Sequence, residues 1–253
     1  MLIERAASAA SALRGDGRVE EADMLFRQVI DADPGNGAAR EALAAGHGRG
    51  APSPRRPLPR RLARRYARPA IEALAQRPRV WKYRLLSTCP RLSGTPVALQ
   101  PVLFAGPGEV RLGEHVQFGW KYSPLFYTGY CYVEASRPES VIEVGDRVEF
   151  NNNSMLKCEG AGIRVGRDGL FGAHVEIFDS NFHDLDPAAR RTGRQAMAPV
   201  DIGENVFVGM SVKILKGVTI GADTVIGAGA VVSSSLPAGV VAAGNPARVI
   251  REL

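Results

Sequence analysis

Four histidines occur in the 253 residues, His47, His115, His174 and His183, and one of them sits in company that suits proton transfer. His183 lies in Asp-Ser-Asn-Phe-His-Asp, with Asp179, Asp184 and Asp186 close by. Imidazole titrates near neutral pH, and an adjacent carboxylate can hold the correct tautomer and stabilise the charged ring, so this pattern suits a general base. Any of the three aspartates can take the orienting role, and Asp179 is the candidate carried forward. The plainer reading of His183 is a histidine on a surface loop. A zinc site would have to draw on His115, His174 and His183, whose spacings do not suit it, so no metal is expected. Cys89, Cys131 and Cys158 are odd in number, widely spaced and without C-x-x-C, which argues for a reducing compartment and against a disulfide frame. Cys158 has no histidine near it in sequence and is not expected to act as a nucleophile.

These residues need a frame to hold them, and the frame is periodic. Steps of six give Val144, Phe150 and Leu156, then Val165, Phe171 and Ile177, then Ile202, Val208, Ile214, Ile220, Ile226 and Val232. All twelve are aliphatic or Phe, and seven are followed by glycine. A period of six fits neither a 3.6-residue helix nor simple strand alternation. It suits a coil with three flat faces, in which each hexad is a short strand plus a corner. The first side chain of a hexad points inward, and a small residue after it lets the chain turn. Three hexads make a rung, and rungs stack at roughly 4.8 Å. An earlier rung is expected near Leu112-Gly113, running through Val116 and Phe118. The phase breaks twice: by three residues between Leu156 and Val165, and by the nineteen residues 183–201. The second break is long enough to leave the prism as a loop, and it carries His183.

The stretch I-G-E-N-V-F-V-G-M-S-V-K-I-L-K-G-V-T-I-G-A-D-T-V-I-G-A-G-A-V-V, followed by V-V-A-A-G-N-P-A-R-V-I-R-E-L, closely resembles the hexapeptide-repeat acyltransferases. G-Y-C-Y-V-E-A, F-N-N-N-S-M-L and I-F-D-S-N-F-H-D-L-D-P resemble the sugar and polysaccharide O-acetyltransferase branch, so the resemblance covers about residues 100–253. It implies a mainly β fold, a left-handed parallel β-helix forming a three-sided prism. It also implies a homotrimer with active sites between neighbouring prisms, acetyl-CoA as donor, a sugar or glycan precursor of a surface polysaccharide as acceptor, and direct transfer without an acyl-enzyme. By that resemblance His183 matches the general base. Asn151 falls where relatives carry an Asn that contacts acceptor or oxyanion, although Asn152 and Asn153 leave its register open by one and stacked corner asparagines explain it equally. Coenzyme A would lie along the C-terminal rungs, with Phe207 as an apolar wall where many relatives have Trp. Gly209, Gly227 and Ala228 would allow close backbone approach, and Arg248 and Arg251 would meet phosphates. Ser233-Ser234 departs from the Thr-Lys of many relatives, which leaves one phosphate contact to Lys213 or Lys216. The aromatic run of residues 120–130 would stack on sugar rings or cap the first rung. Two alternatives stand beside this reading: an amino-sugar N-acetyltransferase or xenobiotic acetyltransferase, and a non-catalytic trimeric scaffold.

Composition places the rest. The chain is 45% hydrophobic and 23% charged, with a net charge of +6. That charge belongs to one segment: residues 49–91 hold twelve arginines and one lysine against one acid, so this segment is +12 and the remainder −6. Arginine with proline reads as a linker or exposed arm, with a short amphipathic helix through Leu58, Leu62, Tyr66, Ile71 and Leu74. Residues 2–45 carry helical spacing, and residues 17–36 resemble a tetratricopeptide repeat. About one and a half repeats are present where a free solenoid needs roughly three, so this segment is expected to dock elsewhere. The expected division is 1–48 helical, 49–95 basic linker and 96–253 β-helix, with an active-site loop at 183–201. Residues 1–95 are the expected contact for a protein partner or a membrane surface. No nucleic-acid motif accompanies the basic charge. The start lacks the basic-then-apolar pattern of a secretory leader, so a cytoplasmic location is expected, peripheral at the inner face of the membrane.

Overall fold

The computed structural model describes residues 2–45 and 60–253. Residues 46–59, with His47, Leu58 and the start of the basic segment, lie outside the described residues. The chain divides at Arg64 into two compact units.

The first unit contains α1 (Leu2–Gly15), α2 (Val19–Ala32) and α3 (Gly37–Ala45). Gly17, with φ of 74°, makes the turn that L side chains resist. Ala10, Ala22, Phe26, Val29 and Ala39 form its core, and small residues where α1 crosses α2 let the helices approach. Arg14 sits 5.1 Å over the Phe26 ring and bonds Asp23 and the Ala42 carbonyl.

Helix α4 (Arg60–Leu86) runs for 27 residues through the segment read as a linker, with Pro69 and Pro78 inside it. Each proline removes one backbone hydrogen bond. Anchors compensate: the buried Gln76 amide donates to the carbonyls of Leu99 at 3.2 Å and Phe126 at 2.8 Å, Arg79 donates to Gly129 at 2.5 Å, and Tyr83 packs on Tyr130 with ring centres 4.7 Å apart.

Six rungs follow. The first is β1 (Arg91–Ser93), β2 (Val97–Ala98) and β3 (Val102–Ala105). It begins inside the segment read as linker, five residues before the expected boundary. The second is β4 (Glu109–Leu112), β5 (Gln117–Phe118) and β6 (Cys131–Ala135). The third is β7 (Val141–Val144), β8 (Glu149–Phe150) and β9 (Met155–Cys158). The fourth is β10 (Ile163–Val165), β11 (Leu170–Phe171) and β12 (Glu176–Phe178). The fifth is β13 (Val200–Ile202), β14 (Phe207–Val208) and β15 (Lys213–Ile214); the sixth is β16 (Thr219–Ile220), β17 (Val225–Ile226) and β18 (Val231–Val232). A hairpin, β19 (Val240–Ala243) and β20 (Arg248–Glu252), closes the stack.

Every third strand stacks in parallel register, giving three sheets. Sheet A holds β1 to β16, sheet C holds β3 to β18, and sheet B holds β2 to β17 with β19 and an antiparallel β20 added. This is the three-sided coil that the hexads imply, the left-handed parallel β-helix expected from the family resemblance. All twelve inward positions are at most 4% exposed. Phe118, Phe150 and Phe171 stack inside sheet B at 5.1 and 4.7 Å, and each fully buried ring contributes roughly 2–3 kcal/mol. Three residues beyond most inward positions, the backbone turns left-handed: His115, Arg147, Asn153, Asp168, His174, Asn205, Ser211 and Asp223 have φ of 54–62°. Asn, Asp and His tolerate that region best, so His115 and His174 are corner residues of the coil.

Candidate active site

The two phase breaks are neighbours in space. The three extra residues after Leu156 form a turn at 159–162 whose amides all point at one carboxylate. Asp179 accepts from the backbone N–H of Glu159 at 2.7 Å, Gly160 at 3.1 Å, Ala161 at 2.8 Å and Gly162 at 3.1 Å. The Cys158 thiol donates to the same group at 3.1 Å. Burial and the Asp179 charge push that thiol up to about 11, which keeps it from acting as a nucleophile at neutral pH. Asp179 is itself fully buried. Its oxygens are therefore committed to the turn, and the structure does not bring them to His183.

The long excursion leaves directly after Asp179. It is closed at its base by a bridge between Ser180 and Met197 and by Asn181 N–H donating to Ala196 at 3.1 Å. At its head, Phe182 takes a left-handed φ of 62°, strained for a bulky residue. The Phe182 ring packs edge-on to Phe178 at 5.2 Å and lies 5.4 Å from the Lys157 ammonium. That packing sets the direction in which the next residue, the exposed His183, leaves the prism. Its backbone N–H donates to Asn181 at 2.7 Å. Asp184 and Asp186 accept from the amides of Asp186 and Ala188, both at 2.9 Å, so they shape the loop locally. Among the described residues no bond joins any of the three aspartates to the imidazole.

Under Phe182 lies a polar cluster that the motifs did not disclose. Lys157 pairs with Glu134 at 2.9 Å and Glu159 at 3.5 Å, Tyr132 donates to Glu134 at 2.6 Å, and Gln195 donates from the loop to Glu159 at 3.2 Å. Burial raises the Tyr132 phenol, and its bond to Glu134 raises it further. Burial also opposes charge on Glu134, but bonds from Tyr132 and Lys157 outweigh it and hold this carboxyl below its usual range. The signal was present in the strand register, which sets Glu134 opposite Lys157 on outward positions of β6 and β9.

The remaining expected site residues gather on another edge. Phe150, Phe171, Val208 and Ile226 pair in successive rungs of sheet B, so the residues after them, Asn151, Gly172, Gly209 and Gly227, stack in one column. Ala228 lies exposed beside it. A groove of about 160 Å³ on this sheet is lined by Asn151, Trp120, Gly172 and the half-exposed Phe207. Farther along the same sheet, Arg248 and Arg251 are exposed on β20. Gly209 has a packing reason of its own: a Cβ there would stand 2.5 Å from the Ala228 nitrogen of the next rung. Asn151 donates to Ser123 at 2.9 Å. Its fully buried neighbour Asn152 donates to Trp120, Ser123 and Pro124 carbonyls at 3.0, 3.1 and 2.9 Å, which pins the aromatic excursion.

Asn151 thus precedes β9 while His183 follows β12, and β9 and β12 lie side by side in sheet C. Within one chain, Asn151 therefore comes before its strand of sheet C and His183 comes after its own, in the excursion that follows β12. Among the described residues there is no cluster of three metal-ligating groups, and no helix is long and apolar enough to cross a membrane.

Residues 199–234 match the family model for bacterial transferase hexapeptide, six repeats. The chain is 48% identical over 114 residues to the galactoside O-acetyltransferase of Escherichia coli K12, covering 45% of this chain and 55% of that one. It is 38% identical over 104 residues to the galactoside O-acetyltransferase of Lactococcus lactis, covering 41% and 50%. The chain therefore spans only about half the length of these curated relatives. Among solved structures it is similar to a hexapeptide-repeat acetyltransferase of Vibrio cholerae complexed with acetyl-CoA, at TM-score 0.44 and 23% identity, covering 76% of this chain and 88% of that one. Residues 199–234 thus carry the bacterial transferase hexapeptide repeat, and the chain is similar in sequence to galactoside O-acetyltransferases.

Proposed function

We propose that the protein is an acetyl-CoA-dependent O-acetyltransferase whose acceptor is a sugar or a glycan precursor of a surface polysaccharide. The observation that carries the reading is the edge of sheet B, where Asn151, Phe207, Gly209, Gly227 and Ala228 line one column and groove and two exposed arginines follow on the same sheet. Such an edge suits a long ligand with an amide-rich arm and a phosphate end: backbone groups bond the arm, Phe207 covers its apolar side, and guanidinium meets phosphate. In the reaction, His183 takes the acceptor hydroxyl proton while that oxygen attacks the thioester carbonyl. The tetrahedral oxyanion collapses, the C–S bond breaks, and the proton passes from His183 to the departing thiolate. Because Asn151 precedes β9 and His183 follows β12 in sheet C, assembly as a homotrimer would complete each site between neighbouring prisms.

Thioester consumption by the purified protein over a panel of nucleotide sugars and oligosaccharides tests this. His183→Ala is expected to lower kcat by roughly 10²–10⁴-fold while leaving the fold intact. Mixed oligomers of His183→Ala and Asn151→Ala subunits should regain part of the activity. Undiminished turnover in His183→Ala overturns the mechanism, and failure of every acceptor together with no acetyl-CoA binding would favour a scaffold.

A further inference from the structure

Among the described residues, helix α4 carries an exposed apolar stripe. Ile71, Leu74, Trp81 and Leu85 are 62%, 75%, 64% and 65% exposed. With Pro78 they follow alternating steps of three and four residues, which draws one straight line along an α-helix. The opposite side of the helix is the anchored one, holding Gln76, Arg79 and Tyr83 against the first rungs. Arg77 and Arg84 flank the stripe on one side and Lys82 on the other. The described ion pair of this region joins Glu72 to Lys121, and none includes Arg77, Lys82 or Arg84. Beside the stripe, a cleft of about 430 Å³ is walled by Val80, Trp81, Leu99 and Phe126, with Arg77 and Arg84 in its lining.

We propose that this face of α4 docks on an anionic lipid bilayer. Ile71, Leu74, Trp81 and Leu85 enter the boundary between headgroups and acyl chains, and Arg77, Lys82 and Arg84 meet headgroup phosphates. The charge pattern excludes the obvious competitor: pairing with the same helix of a second copy would set cationic flanks against cationic flanks. Pro78 in the middle of the stripe also spoils a knobs-into-holes seam with any helix, whereas a lipid surface needs no complementary seam. Tryptophan is the side chain best suited to that interface, with an apolar body and a polar N–H. The inference does not depend on the acetyl-transfer reading, and its test uses no substrate.

The experiment is cosedimentation of the full chain with neutral phosphatidylcholine vesicles and with vesicles containing phosphatidylglycerol, alongside Trp81 fluorescence in a Trp120→Phe background. Binding to the anionic vesicles is expected to be roughly tenfold or more tighter, to weaken with salt, and to shift Trp81 emission to the blue. Leu74→Glu and Trp81→Glu should abolish binding without lowering the melting temperature, since both side chains are exposed. The combined Arg77→Gln, Lys82→Gln, Arg84→Gln variant should lose the preference for anionic lipid. No binding at near-physiological salt, or binding that survives both glutamate variants, overturns the proposal. So does a Trp81→Glu variant that changes the oligomeric mass by light scattering, because the stripe would then be a face between copies.

Discussion

Rungs β13 to β18 and rungs β4 to β12 follow the same hexad and differ in what they bury. The C-terminal rungs enclose aliphatic side chains, with Thr224 the one buried polar residue, its hydroxyl donating to the Pro237 carbonyl at 2.9 Å. The N-terminal rungs bury Asn152, Ser154, Asp179 and Ser180, and Gln100 lies just before them. Gln100 ties Leu125 at 3.0 Å and Asn153 at 3.1 Å, Asn152 ties the segment after Trp120, and Asp179 ties the turn at 159–162. A parallel coil satisfies its own backbone for as long as it stays regular. Wherever the chain leaves, amides and carbonyls lose their rung partners, and a buried polar side chain replaces them. The regular rungs thus offer a straight edge, and the irregular ones hold loops in place.

The contrast can be broken most sharply at Asp179. Asp179→Ala strips the fully buried acceptor from four backbone amides, and denaturant unfolding should show a loss of about 3 kcal/mol or more. Ile220→Val in the regular rungs should cost about 1 kcal/mol. Equal losses would mean that the buried carboxylate is no anchor. A smaller effect is expected at Gly209, where Ala must push the next rung and should cost roughly 2 kcal/mol. Gly239→Ala, with nothing within 4 Å but a φ of 68°, should cost about 1 kcal/mol, from conformation alone. If the two melt alike, stacking between rungs is not what the small residue serves. The mildest test is Glu134→Gln, expected to cost about 1 kcal/mol at neutral pH. Because the Glu134 carboxyl is held below its ordinary value of 4.5, its contribution is present above that value and is lost as pH falls through the lower folded one. Wild type and variant should therefore converge in stability as pH falls below 4.5, and a constant gap would assign the effect to packing.

The prism was legible because its signal repeats: one inward aliphatic every six residues survives any single irregularity. His183 was legible for the opposite reason, as the residue at which the rhythm stops. The left-handed corners were also written in the chain, in Asn153, Asp168, Asn205 and Asp223 at matching offsets. What could not be read is pairing across a break. Nothing local joins Asp179 to residues 159–162, which lie 17 to 20 positions earlier, whereas His183 is four residues away and is the nearer candidate partner in sequence. Helix α4 was obscured similarly, since Pro69 and Pro78 argue against a long helix and only contacts from distant residues such as Phe126 and Gly129 offset them.

Strand β20 has a last consequence. A stack of parallel strands ends in a row of unpaired amides and carbonyls, a template on which another copy can add itself end to end. In sheet B the final partner is laid antiparallel and fully exposed, with Arg248, Arg251 and Glu252 among its five residues. A reversed, charged strand is a poor seed for further parallel growth, so the same arginines that would greet a phosphate also disfavour end-to-end addition on this sheet.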